Sequence, residues 1–240
     1  MSARVERLTW QDILLEAIDL PKAKLQLTLG LGSGLSAARG RIFAITDRGP
    51  NLFVSQAVND YGLTDLARLQ GIRDAKVMPT PEVGAEIVEL VLEGAALRPV
   101  RRIPLRVASG RRLGGAAPAG SEMEQVFDLA GRPLPPDPLG ADTEAIAVLP
   151  DGGFFLAEEY GPSLLKVTAD GLVSERWVAT GNQARMQHAE LIVRNVLPVT
   201  IARRRLNRGL EALCASADGR WLYLGLQSAP AGEDDARRIR

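Results

Sequence analysis

The stretch DTEAIAVLPDGGFFLAEEYGPSLLKVTADGLV, residues 142 to 173, constrains the fold more than any other part of the chain. Its apolar runs AIAVL (145 to 149), FFLAE (154 to 158) and SLLKV (163 to 167) are followed by LVSERWV (172 to 178). Each is strand-sized, and none is long enough for a helix of ordinary length. They are separated by PDGG, EYGP and TADG, whose Gly, Pro and Asp residues supply the backbone angles and stops that tight reversals need. The spacing predicts a four-stranded antiparallel meander over 142–178, the size of one propeller blade.

The same pattern recurs in GLEALCASADGRWLYLGLQS (209 to 228): a Glu, an apolar strand, an Asp-Gly turn and a second apolar strand. Glu211 there takes the place of Glu144. A third copy, SGLSAARGRIFAITDRGPNLF (33 to 53), turns at Ala-Arg-Gly, and its Asp47-Arg48-Gly49-Pro50 matches Glu159-Tyr160-Gly161-Pro162. Weaker strand signals at 14–20, 24–29, 86–92 and 101–107 are spaced as outer strands of neighbouring blades. The expected fold is therefore an all-β propeller of four-stranded antiparallel blades, about four of them at roughly 40 to 60 residues each, in one domain over 1–240. Polar, Pro-punctuated 59–84, Gly/Ala-rich and mobile 110–122, and Pro-rich 130–142 read as connections. Met186, Ala189, Ile192, Val193 and Val196 fall near helical spacing and predict a short inserted helix near 183–196.

Bulk properties narrow the function classes. At 46% hydrophobic and 24% charged, 240 residues can bury a real core. The 29 basic and 29 acidic residues balance, so the global field that favours nucleic acid or an anionic membrane is missing, and no nucleic-acid partner is expected. No apolar stretch approaches the ~20 residues of a membrane span, and MSARVERLTWQDILLEAIDL has charges where a signal peptide is apolar. One cysteine, Cys214, and one histidine, His188, cannot build a Cys/His zinc site, so any metal must be held by oxygen. Cys214, alternating within a strand, reads as a small packed hydrophobe, and His188 as a surface residue. Ser33 and Ser163 lack a G-x-S-x-G context, which leaves a serine triad without support.

The chain resembles the phytase-like, esterase-like β-propeller proteins of bacteria. The resemblance runs through SGL (33 to 35), TDRGPN (46 to 51), GRPLPPDPLGADTEAIAVLPDGGFFLAEEYGPSLL (131 to 165), RRRLNRGLEAL (203 to 213) and LYLGLQS (222 to 228). It implies a functional site among acidic residues at inner strand ends, and calcium held by carboxylates as in related propeller phytases. Phe155 stands where the family pattern often has Trp. Family members are typically longer and are exported to the periplasm or beyond. The resemblance therefore implies a truncated member whose ring does not close, with open edge strands available for self-association. The compartment stays open, since the chain shows no export signal of its own.

In a propeller, the first strands of successive blades line a common channel, so Glu144 and Glu211 are expected to face each other there, with Asp142 pointing the same way. Crowded carboxylates raise one another's pKa unless a cation sits among them. Calcium takes six to eight oxygen ligands, which makes Asp142, Glu144 and Glu211 the expected metal ligands. Asp47, Arg48, Glu158, Glu159 and Arg208 are the catalytic candidates, the two arginines as bidentate holders of a phosphate or carboxylate. Together these predict hydrolysis of a small-molecule phosphoester or carboxyl ester. Duller readings stand beside these: Asp47, Glu158 and Glu159 close hairpins, where acids bond turn N–H groups, Arg48 and Arg208 can tie blades together, and a repeated Glu can be a strut. Tyr160 either reaches the channel mouth or stacks on its own blade. A non-catalytic binding platform and an inactive fragment are the competing functions.

Overall fold

A computed structural model describes residues 6–120 and 124–232. In chain order the strands are β1 (Leu14–Asp19), β2 (Lys24–Thr28), β3 (Leu31–Ala38) and β4 (Arg41–Thr46). β5 (Leu52–Phe53), helix α1 (Val54–Asn59), a 3-10 turn (Thr64–Leu69) and β6 (Lys76–Val77) come next. After β7 (Glu86–Glu93), β8 (Ala96–Pro104) and β9 (Val126–Phe127) the chain enters β10 (Thr143–Val148), β11 (Phe154–Glu158), β12 (Ser163–Val167) and β13 (Val173–Ala179). It ends in α2 (Gln183–Met186), β14 (Ile192–Leu197), α3 (Val199–Ala202), β15 (Leu210–Ala215) and β16 (Leu222–Leu226). The protein is all-β, with several small, mainly antiparallel sheets, none of them closed.

The meander read from residues 142–178 forms as four antiparallel strands in order β10-β11-β12-β13. The second and third copies form hairpins: β15 pairs with β16, and β3 with β4. The signals at 86–92 and 101–107 belong to the sheet of the third copy, where β7 and β8 extend the order to β3-β4-β7-β8. Those at 14–20 and 24–29 pair only with each other.

The sheets pack on one another in chain order. Leu29, Trp10 and Leu15, in and beside β1 and β2, cover Ala44, Val88 and Leu90 on one face of the β3-β4-β7-β8 sheet. That sheet's other face, with Phe43, Ile45, Ile87 and Ile103, meets Ile146, Phe154, Leu156 and Leu165 of the next sheet. Phe43 and Phe154 make an edge-to-face contact with centroids 5.2 Å apart. Beyond it, Phe155, Ala157 and Leu164 pack with Leu213, Leu222 and Leu224 of β15-β16. β11 is thus buried on both faces, which is why FFLAE is continuously apolar rather than alternating. The aromatic position at Phe155 is filled from its own sheet, by Trp177 with centroids 4.7 Å away.

Three expectations need correction. The helix expected near 183–196 survives only as the single turn α2, while Ile192–Leu197 is strand β14, paired in parallel with β13. The apolar residues there, Ile192, Val193 and Val196, are β-branched, and the open edge of β13 offered them a ladder. Cys214 is exposed, because among the described residues only β16 pairs with β15 and its outward face is uncovered. The Gly/Ala-rich connection is not a loose loop: Leu113 and Ala117 are buried, and Gly115 lies so close to Arg48 that a Cβ there would stand 2.2 Å from the Arg48 carbonyl oxygen. Its residues 121 and 122 fall outside those described. The polar stretch 59–84 contributes the 3-10 turn and β6 to a small satellite in which β6 pairs with β5 and β9 over a core of Val54, Leu66, Leu69, Val77 and Phe127.

Candidate functional site

Two glycines bring the first strands of three sheets side by side. Gly34 in β3 lies against β10 so closely that a Cβ would stand 2.7 Å from the Ala145 Cα. Gly209, leading into β15, approaches the end of β11, where a Cβ would be 2.6 Å from the Glu159 Cα. Further bonds tie the third copy to the first. Thr143 donates its hydroxyl to the Thr46 carbonyl at 2.6 Å, and the Arg48 N–H donates to Asp142 Oδ1 at 3.2 Å.

At this junction Asp142, Glu144 and Glu159 each present a carboxylate oxygen, all within 4.8 Å of one another. Asp142 and Glu159 are buried and Glu144 half-buried. Glu211 enters from the neighbouring sheet on β15, its charge among those that raise Glu144 and Glu159. The Gly209 N–H donates to Glu159 Oε1 at 3.1 Å. The group of three thus holds Asp142 and Glu144 of the expected metal ligands and Glu159 of the catalytic candidates, and Glu211 is not one of the three.

Burial and mutual repulsion dominate the electrostatics. Glu144 is pushed up to about 9, first by burial and then by the charges of Asp142 and Glu211. Burial likewise raises Asp142 to about 7 against the pull of Arg48, and Glu159 to about 7 against its bond from Gly209. Glu211 is raised by burial, and Asp47 by burial against its bond from Gly49.

The other candidates take distinct places. Asp47 accepts the Gly49 N–H at 2.9 Å, a turn bond, while its charge adds to the repulsion on Asp142 and Glu144. Arg48 is buried: its guanidinium pairs with Asp142 Oδ2 at 2.8 Å and with Glu124, and it donates to the Tyr160 hydroxyl at 3.2 Å. Burial opposes its charge, and Asp142, Tyr160 and Glu124 together outweigh that penalty. Glu158 faces away from the group of three. It accepts bonds from the Asp142 and Tyr160 N–H groups (3.3 and 2.7 Å) and from the Ser163 hydroxyl (2.8 Å). It also pairs with the fully buried Arg176 at 2.8 Å. Arg208 is exposed, and its charge draws the Glu211 pKa down. Tyr160 neither lines a mouth nor stacks on its own sheet: its hydroxyl donates to the Gly115 carbonyl at 2.6 Å, and Arg48 lies over its ring at 5.2 Å. Ser163 is buried in the Glu158–Arg176 network, and His188 accepts the Glu190 N–H through Nδ1 at 3.2 Å.

Several members of the cluster lie outside every strand repeat and gave no sequence signal. Glu124 holds Arg48 from the connection before β9. Asn207, in the left-handed region at φ 55°, accepts a bond from the Arg48 guanidinium at 3.3 Å, and with its amide turned over its nitrogen would donate to Glu159 Oε2 (3.0 Å) and Glu124 Oε1 (3.2 Å). Arg204 donates to the Tyr160 carbonyl at 2.9 Å. Lys76 is buried at the satellite's edge.

The donor set is hard oxygen, and Asp142 Oδ2, though ion-paired with Arg48, accepts no hydrogen bond. Asp142, Glu144 and Glu159 could therefore hold a metal ion. Fold and site together define a class: an all-β protein of stacked small sheets, carrying buried carboxylates where three of those sheets meet. The chain belongs to the Phytase-like family, described as esterase-like activity of phytase, whose pattern matches residues 28–240. No curated relative matches it.

Proposed function

We propose that the chain is a propeller-type hydrolase that cleaves a phosphoester or carboxyl ester at a calcium ion held by Asp142, Glu144 and Glu159, with Glu211 behind them. In this reading the successive sheets are about four blades of a phytase-like propeller, fanned about the axis along which β3, β10 and β15 lie. The observation that carries the reading is the convergence of those three carboxylates within 4.8 Å. Their raised pKa values reflect burial and mutual repulsion, which a bound cation would relieve as it displaces the protons into solvent. Bound there, calcium supplies a Lewis acid for an ester or phosphoryl oxygen and lowers the pKa of a coordinated water.

The chain's own residues divide the remaining tasks. Arg48 fixes Asp142 from behind, and its pairing with Asp142 and Glu124 gives it a positioning part rather than a clamp on substrate. Glu158, tied to Arg176 and to the Asp142 N–H, sets the turn from which Glu159 projects. Glu211, outside the group of three, is the acid left to take a proton from an attacking water. Asp47 adds negative charge beside them, and Arg208 stands exposed to meet the substrate.

Purified protein with calcium should hydrolyse p-nitrophenyl phosphate or p-nitrophenyl acetate. Glu144→Gln and Glu159→Gln should each lower turnover by about 100-fold or more, the scale expected when a cation's several kcal/mol of charge stabilisation is lost. Unchanged turnover in both variants would remove these residues from the mechanism.

A further inference from the structure

Lys76 is a buried cation that the reading above does not use. It is 7% exposed, and among the described residues no carboxylate comes within ion-pair distance of it. Its ammonium lies 3.4 Å from the centre of the Phe53 ring. Strand pairing fixes it there: Lys76 is opposite Phe53 in β5 and in parallel register with Val126 in β9, and its N–H donates to the Gln125 carbonyl at 3.0 Å. That register sets Lys76 beside Val126, two residues after the Glu124 that pairs with Arg48. Its charge is felt by Asp47, and it feels those of Glu124, Arg48, Asp142 and Asp74. Burial lowers its pKa, with Glu124 pulling the other way.

We propose that Lys76 is the specificity-determining residue of the carboxylate site, its ammonium taking an anionic oxygen of the substrate so that charged esters are favoured over neutral ones. This rests on the hydrolase reading and deepens it. Arg48 and Arg176 each have carboxylates in contact, whereas Lys76 is held by an aromatic face, which anchors a cation without neutralising it. An ammonium kept from ion pairing can bind an incoming anion without first breaking an ion pair.

The test measures binding of inorganic phosphate by calorimetry, with and without calcium, to wild type, Lys76→Met and Lys76→Arg. Lys76→Met should weaken phosphate binding by at least tenfold while leaving calcium affinity unchanged or tighter, because a neighbouring positive charge has gone. Lys76→Arg should restore most of the phosphate affinity. In turnover, Lys76→Met should lower kcat/KM for p-nitrophenyl phosphate and leave p-nitrophenyl acetate unaffected. The proposal is overturned by unchanged phosphate affinity in Lys76→Met, by absence of phosphate binding in wild type, or by equal loss of calcium and phosphate binding, which would make Lys76 a strut. Lys76-dependent phosphate binding in a protein that takes up no calcium would sustain the proposal and defeat the metal reading instead.

Discussion

Asp142 answers to several neighbours at once. Its Oδ1 accepts the Arg48 N–H, its Oδ2 pairs with the Arg48 guanidinium, and its backbone carbonyl accepts the Glu159 N–H at 2.8 Å. The geometry of the acid group is therefore set largely by main chain, and the sharpest residue-scale test is a glycine. In Gly209→Ala the new methyl would meet the Glu159 Cα and carbonyl oxygen, each at 2.6 Å, and neither is the movable end of a side chain. We expect a loss of about 1–3 kcal/mol, the usual cost of overpacking, measured by chemical denaturation, together with weaker calcium binding as Glu159 is displaced. Wild-type stability in this variant would show that β15 yields without resistance. At this scale the sequence was only partly legible. Asp142, Glu144 and Glu211 could be picked out because two of them recur at matched repeat positions. Glu124 and Lys76 could not, because they sit in stretches without readable periodicity; Arg204 and Asn207 lie in RRRLNRGLEAL, but nothing there told which polar residues turn inward, and only the folded chain brings Glu124 to Arg48 and Arg204 to the Tyr160 carbonyl.

Among the elements, the β10–β13 meander was the most readable, since its turns carry strong Gly, Pro and Asp signals and its strands end close to where those signals fall. β14 was misread because Met186, Ile192, Val193 and Val196 fit a helical stripe on paper, whereas the deciding influence, the unfilled edge of β13, is non-local. Behind the meander lies the Glu158–Arg176 pair, with both side chains 0% exposed. Arg176 also donates to the Ser163 hydroxyl at 2.9 Å and to the Pro138 and Gly140 carbonyls, each at 3.1 Å, so it fastens the Pro-rich lead to β12 and β13. Arg176→Met would leave Glu158 buried without its cation. The expected loss is about 3–5 kcal/mol, read from urea denaturation, and a loss below about 1 kcal/mol, the range of an exposed pair, would mean that Glu158 finds water or a proton at little cost.

For the whole molecule, the acid cluster predicts how stability follows pH. In the unfolded chain Asp142 ionises near 3.8 and Glu144 and Glu159 near 4.5, whereas the folded values are about 7, 9 and 7. Below the unfolded values both states are protonated and these groups contribute nothing to the pH dependence. Between the unfolded and folded values the folded state holds more protons, so stability falls as pH rises, and the fall is complete above about 9. In the cation-free protein, Tm should therefore decline from pH 5 to pH 9. Calcium should raise Tm more at pH 8 than at pH 5, because binding requires the carboxylates to give up their protons. A calcium shift of equal size at both values, measured by thermal melts, would contradict the proposed ligand set. Phe154 and Phe155 point to opposite neighbouring sheets, and that two-sided cover was not read from the sequence, because which sheets stack is set by contacts far apart in the chain.

The close approach at Gly34 and Gly209 has one more consequence. Because neighbouring sheets meet there backbone to backbone, the spacing of the strand ends that carry the acids is set by main chain rather than by the acids themselves. Evolution could therefore exchange one liganding group for another at these strand ends and keep the scaffold's spacing, so that new chemistry would arise by swapping tips on an unaltered frame.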